Sequence, residues 1–260
     1  MGIRTSEGFT IIETMLFLAI SGVLVVAMIA GAGASLNVQR YRDATETFKN
    51  LIQRQYADLQ NVQNDYDGQW SCNASAETET GGTALKGQSD CIMLGKYVTI
   101  EQGDISIYRV LGYQLNDRVV ANEINSLATD YYLNVSTVDV EERRMEWQTT
   151  IAWAETGNDA NTDQTPRSIA LLFLRSPATG STYTFSSDTV PSADALGRDT
   201  LNSMLVAGDS RPGQAARTIC VASGGLAVGG DRGIYIRAFA AGASAVEMQS
   251  NDLDGGASQC

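Results

Sequence analysis

Gly8-Phe9-Thr10-Ile11-Ile12-Glu13 opens an apolar stretch that continues through residues 14–39 without a charge. At a rise of ~1.5 Å per residue, a helix over that stretch exceeds a hydrocarbon core of ~30 Å. The segment can therefore cross a membrane with residues to spare. Its one awkward member is Glu13, because a carboxylate so close to an apolar run is costly in lipid and calls for a dedicated partner. An ordinary secretory signal would carry its cleavage site after the apolar run, whereas here the small residue that suits cleavage, Gly8, precedes it. The competing reading is an uncleaved signal anchor with Glu13 near the headgroups.

Gly8-Phe9-Thr10, two apolar residues and Glu13, set before a long hydrophobic run, resemble the cleavage and methylation signature of type IV prepilins and pseudopilins. The resemblance covers about residues 1–60. It implies a leader over residues 1–8, cut between Gly8 and Phe9 by a membrane-embedded prepilin peptidase that also methylates the new amine of Phe9. It further implies that Glu13 meets the free amino terminus of a neighbouring subunit during assembly, so that two costly charges neutralise each other. The other partners it implies are further pilin subunits, an inner-membrane assembly platform and the membrane itself. Arg4 before the span and Arg40 and Arg42 after it favour the reverse of the usual positive-inside orientation. The cysteines, all beyond the span, belong in an oxidising space and decide for an outward head.

Beyond the span, Leu36, Tyr41, Ala44, Phe48, Leu51, Ile52, Tyr56, Leu59, Val62 and Tyr66 recur at helical spacing. The pattern predicts one helix over residues 9–66, its first part (9–39) transmembrane and polymerising, its second (40–66) packed on a globular head over residues 67–260. Arg40, Asp43, Glu46, Lys49, Asn50, Gln53 and Arg54 form the face expected to meet water. Gly22, Gly31 and Gly33 weaken the apolar half and suit close helix packing. The resemblance also implies local melting of the helix in this region on assembly, often between a glycine and a proline, and no proline stands there.

The head reads as α+β with a mainly antiparallel sheet, and with the long helix it gives the ladle layout that the resemblance implies. Residues 69–90 read as a loop rich in small polar residues. Strands are expected over 91–101 and 104–114, turning at Gln102-Gly103, and over 131–140, 145–154, 168–175, 182–186, 218–222 and 233–239. Segments 117–129 and 194–206 read as short helices or loops, and Glu141-Glu142-Arg143-Arg144 as a solvated charged turn. Cys72, Cys91, Cys220 and Cys260 form no CxxC pair and suit two disulfides, with Cys72–Cys91 and Cys220–Cys260 preferred as neighbours in sequence.

A net charge of -12 and the absence of histidine argue against nucleic-acid binding and remove the commonest general base and metal ligand. No catalytic residue is expected. Asp159, Asn161 and Asp163 alternate as in a calcium loop, but Gln164 and Ala170 stand where the turn glycine and bidentate glutamate belong. Asn251, Asp252 and Asp254 before Gly255-Gly256 offer oxygen ligands, in the region where the resemblance implies a calcium loop in major pseudopilins. Calcium is accordingly the single cofactor candidate, set against a solvated Asx-rich turn. Asn73-Ala-Ser75 and Asn134-Val-Ser136 match the glycosylation triplet.

The expected function is a structural pilin, major or minor, made as a single-pass precursor in the cytoplasmic membrane and then exported as an extracellular filament. Adhesion, twitching motility or DNA uptake are the family's outputs. The alternatives are a pseudopilin of a type II secretion system and a membrane-anchored extracellular adhesin or enzyme.

Overall fold

The computed structural model describes residues 10–61, 70–80, 91–116, 122–152, 167–192, 195–206, 214–226, 232–250 and 260. Helix α1 spans Ile11–Gln60, 50 residues or about 75 Å of continuous helix. Its N-cap is Thr10, whose side chain accepts from the Glu13 amide, and it ends where Asn61 leaves helical geometry. The helix thus stops short of the expected residue 66, and Val62 and Tyr66 lie outside the described residues.

The chain continues through β1 (Trp70–Cys72), β2 (Thr78–Thr80), β3 (Cys91–Glu101), β4 (Asp104–Gln114), α2 (Glu123–Thr129) and β5 (Tyr131–Arg144). There follow β6 (Thr150–Ala152), β7 (Ser168–Arg175), β8 (Thr182–Ser187), α3 (Arg198–Val206), β9 (Arg217–Ala222), β10 (Arg232–Ile236) and β11 (Val246–Ser250). All pairings are antiparallel, in sheets ordered β5-β4-β3-β7-β8, β11-β10-β9-β6 and β1-β2. The α+β class expected from the sequence is present, but among the described residues the single expected sheet is three.

Strand β7 shows why. Its run Ile169-Ala-Leu-Leu-Phe-Leu174 is apolar without alternation, the mark of a strand buried on both faces. Ile169, Leu171 and Phe173 meet Tyr41, Phe48, Ile52, Tyr56 and Leu59 of α1, together with Ile219 and Val221 of β9 and Ile234 and Ile236 of β10. Ala170, Leu172 and Leu174 face the opposite way, onto Ile124 and Leu127 of α2 and Leu201, Met204 and Leu205 of α3. The second half of α1 is therefore held between the five-stranded and four-stranded sheets, with the two short helices on the far side.

Polar ties cross the same layers. Buried Arg167 donates to Thr218 O at 3.4 Å and pairs with Asp188, which Arg217 also reaches at 3.2 Å, joining the ends of β7, β8 and β9. Lys96 of β3, almost fully buried, pairs with Asp58 of α1. Tyr56 hydrogen-bonds Thr184 at 2.8 Å, Thr184 donates on to Ala240 O at 2.8 Å, and the Tyr56 ring meets Phe173 edge-on at 5.0 Å.

Several elements differ from the sequence reading. The expected loop over 69–90 contains the β1-β2 hairpin, and Asn73 in its turn accepts from the Ser75 and Glu77 amides. Strand β5 runs on to Arg144, so Glu141 to Arg144 pair along β4 rather than forming a turn. In place of a strand over 145–154 there is a 3-10 turn at Glu146–Gln148 and then the short β6, because Trp147 and Gln148 take φ values of 54° and 59° that no strand accommodates. Strand β10 ends at Ile236 rather than running to residue 239, and β11 lies beyond all the expected strands. On α1, Leu36 remains 49% exposed, whereas Gln53 leaves the expected solvent face to donate to Ala243 O and Val246 O at 3.2 and 3.1 Å.

The buried phenols give the head an alkaline limit. Burial pushes Tyr56 up to about 12 against a weaker opposing effect of the Thr184 hydrogen bond, and Tyr97 up to about 12 by burial reinforced by Tyr108. A phenol whose value is raised by folding stabilises fully below its unfolded value, near 10, and loses that contribution as pH rises towards 12. Equilibrium unfolding of the full chain in detergent should show stability falling between pH ~10 and ~12, and Tyr56→Phe should make that fall shallower. An unchanged alkaline slope would contradict it.

Candidate functional site: the uncovered half of the first helix

From Ile11 to Leu36 the large apolar side chains of α1 lie open. Ile11 is 76% exposed and Ile29 68%, and Met15, Phe17, Leu18, Val23, Val26 and Met28 are similarly open. Two hydroxyls along this length are satisfied within the helix. Thr14 Oγ1 donates to Ile11 O at 2.9 Å, and Ser21 Oγ donates to Phe17 O at 2.7 Å. With its backbone closed on itself and Glu13 set at one end, the segment presents an otherwise largely apolar surface, the condition a lipid-exposed helix must meet. It is long and apolar enough to cross a membrane, and none of its most apolar window is buried.

Glu13 sits in the first turn, where the partial positive charge of the helix N-terminus favours a carboxylate. Among the described residues its side chain has no ion-pair partner, and it is exposed. A Cβ added at Gly22, Gly31 or Gly33 would meet nothing within 4 Å. These glycines therefore serve no close contact among the described residues, and they leave shallow places on the helix where another backbone can come close.

The uncovered surface ends abruptly at Tyr41, which is 1% exposed. Its hydroxyl donates to Val221 O at 2.6 Å and accepts from the Arg232 amide at 2.7 Å, tying the helix to β9 and β10. One residue earlier, the Arg40 guanidinium lies 4.7 Å over the Trp147 ring. The sequence marks Tyr41 only as a member of an apolar stripe. Its hydrogen bonds span about 180 residues of chain, a separation no local pattern reveals.

Of the other residues singled out from sequence, Cys72 is bonded to Cys91 and Cys220 to Cys260. The second bond returns residue 260 to β9 against Gly233 of β10. Gly8 and Phe9, the expected cleavage junction, and the calcium candidates Asn251, Asp252 and Asp254, lie outside the described residues, as do Asp159, Asn161 and Asp163. Among the described residues no cluster of three or more acidic, cysteine or histidine side chains could hold a metal. No family model matches the chain, and no curated protein or solved structure matches it either.

Tyr41→Phe removes one buried donor and leaves the Val221 carbonyl and Arg232 amide short of a partner, at a cost of about 1–3 kcal/mol. Urea unfolding of the variant should show a loss of that size, while flotation with lipid vesicles should match the parent, because the apolar half of α1 is untouched.

Proposed function

We propose that this chain is a type IV pilin-like subunit, held in the membrane by the first half of α1 and assembled through that same half into a filament that presents the head. The observation that carries the reading is a helix built with two kinds of surface. One half is enclosed by the head, while the other is uncovered, apolar and marked by a single unpaired carboxylate near its start.

In lipid, apolar side chains gain little by meeting one another, since acyl chains are as apolar as leucine. Close packing at small residues and relief of charge then govern association. Cleavage after Gly8 gives Phe9 a free amine, and a neighbour's Glu13 carboxylate supplies the opposite charge; pairing them removes two penalties at one contact. Methylation of the amine keeps it basic. The acidic head, with net charge -12 over the whole chain, stays soluble outside while the helices bundle within.

Co-expression with a prepilin peptidase should yield a mature chain whose first residue, read by mass spectrometry, is methylated Phe9; any other first residue refutes the reading. In the same system Glu13→Ala should insert in the membrane as the parent does yet lose most of its incorporation into sheared filaments. Undiminished incorporation would rule out charge pairing as the assembly contact.

A further inference from the structure

Trp147 is a large aromatic left 49% exposed on a strained loop, and its position relative to the apolar helix gives it a use. It and Gln148 both have positive φ, 54° and 59°, a costly backbone state for non-glycine residues that persists only where surroundings enforce it. The surroundings here do so. Thr149 closes the turn on Glu146, through its amide at 3.1 Å and its hydroxyl at 2.8 Å. The Met145 amide donates to Gly103 O at 2.8 Å. Gly224, itself at φ 61°, approaches so near that an added Cβ would stand 2.2 Å from Gln148 O. The loop is thus pinned from the β3-β4 turn on one side and the end of β9 on the other. What the pinning achieves is an indole held outward beside Arg40, which lies over its ring.

Arg40 is the first charge after the apolar run. Along a helix, Glu13 and Arg40 stand about 40 Å apart, the thickness of a bilayer of about 40–45 Å with its headgroups included. When Glu13 lies at one headgroup layer, Arg40 lies at the other. The Trp147 indole, stacked against Arg40, then shares that depth, where an amphipathic ring with one wet and one apolar side is at its best. Of the acids at this end of the head, Asp104 pairs with Arg144 at 3.2 Å, while Asp43 and Glu146, close in sequence to Arg40 and Trp147, are exposed, so this level carries charge of both signs. Arg42 adds a second exposed cation two residues on.

We infer that Trp147 and Arg40 together form a membrane-interface anchor that seats the base of the head on the outer lipid headgroups and fixes its tilt before assembly. The partner is the bilayer surface. The inference rests on the membrane insertion proposed above, but not on cleavage or on filament formation. It assigns a purpose to a strained, solvent-facing tryptophan that packing inside the chain leaves unexplained.

The test uses the full chain at one copy per lipid nanodisc, with lipids brominated either close to the headgroups or near the bilayer centre. Shallow bromines should quench part of the tryptophan fluorescence more strongly than deep ones, and Trp147→Phe should lose most of that quenched part while Trp70 and Trp153 continue to emit. A chain carrying Trp70→Phe and Trp153→Phe should show the converse, with most of its remaining emission quenched by shallow bromines. If the chain leaves the lipid on flotation, the membrane reading and the anchor fall together. If it stays with the lipid and the parent and Trp147→Phe are quenched alike, the anchor alone is refuted.

Discussion

A single helix has to satisfy two solvents, and the change happens between Leu36 and Tyr41. Up to Leu36 the side chains of α1 are open; at Tyr41 they are enclosed by two sheets, with the phenol tied to both β9 and β10. Because the helix is unbroken between them, the geometry of the enclosed half fixes the direction in which the uncovered half leaves the head. Any force applied to the apolar segment reaches the core through that junction. The Arg40–Trp147 stack lies at the same level, so the transition between environments is also where the head's lower surface is shaped.

The head is organised by how much it asks of α1. Phe48, Ile52, Tyr56 and Leu59 serve the interior of both large sheets at once. At about 1.5–3 kcal/mol for each large apolar side chain buried, the helix is a principal source of core surface as well as the support. The four-stranded sheet has no second layer of its own among the described residues and depends on α1 for its cover. The ion group around Arg167 and the Cys220–Cys260 bond hold that sheet's inner strand in place. Losing α1 would expose one face of each sheet, so an isolated head lacking residues 40–60 is not expected to keep this fold.

Much of this was written locally. The apolar run, the stripe from Tyr41 to Leu59, the β3-β4 hairpin about Gln102-Gly103 and the two-sided apolar strand β7 are repeats of period 3.6 or 2 or none, each visible within about ten residues. What stayed hidden has identifiable causes. The β1-β2 hairpin has strands of only 3 residues each, too short to show an alternation. The short β6 follows two residues with positive φ, a conformation neither Trp147 nor Gln148 advertises. Val246–Ser250 mixes charge and apolar residues and becomes a strand because β10 offers it an edge. Gln53 reads as solvent-facing and is recruited by carbonyls almost 200 residues away.

By itself the sequence determined that one helix carries both an uncovered apolar half and an amphipathic half, because hydrophobic periodicity is a property of neighbours along the chain. It likewise determined where the lone carboxylate stands and that the rest is α+β. Tertiary structure alone decided that the amphipathic half is gripped between two sheets, that Arg167 joins them, and that Arg40 meets Trp147 where the apolar surface ends. Those outcomes depend on contacts between residues well separated in the chain, 51 positions for Arg167 and Thr218 and 180 for Tyr41 and Val221, set by how the strands pair, and no pattern along the chain encodes such pairing before the chain has folded.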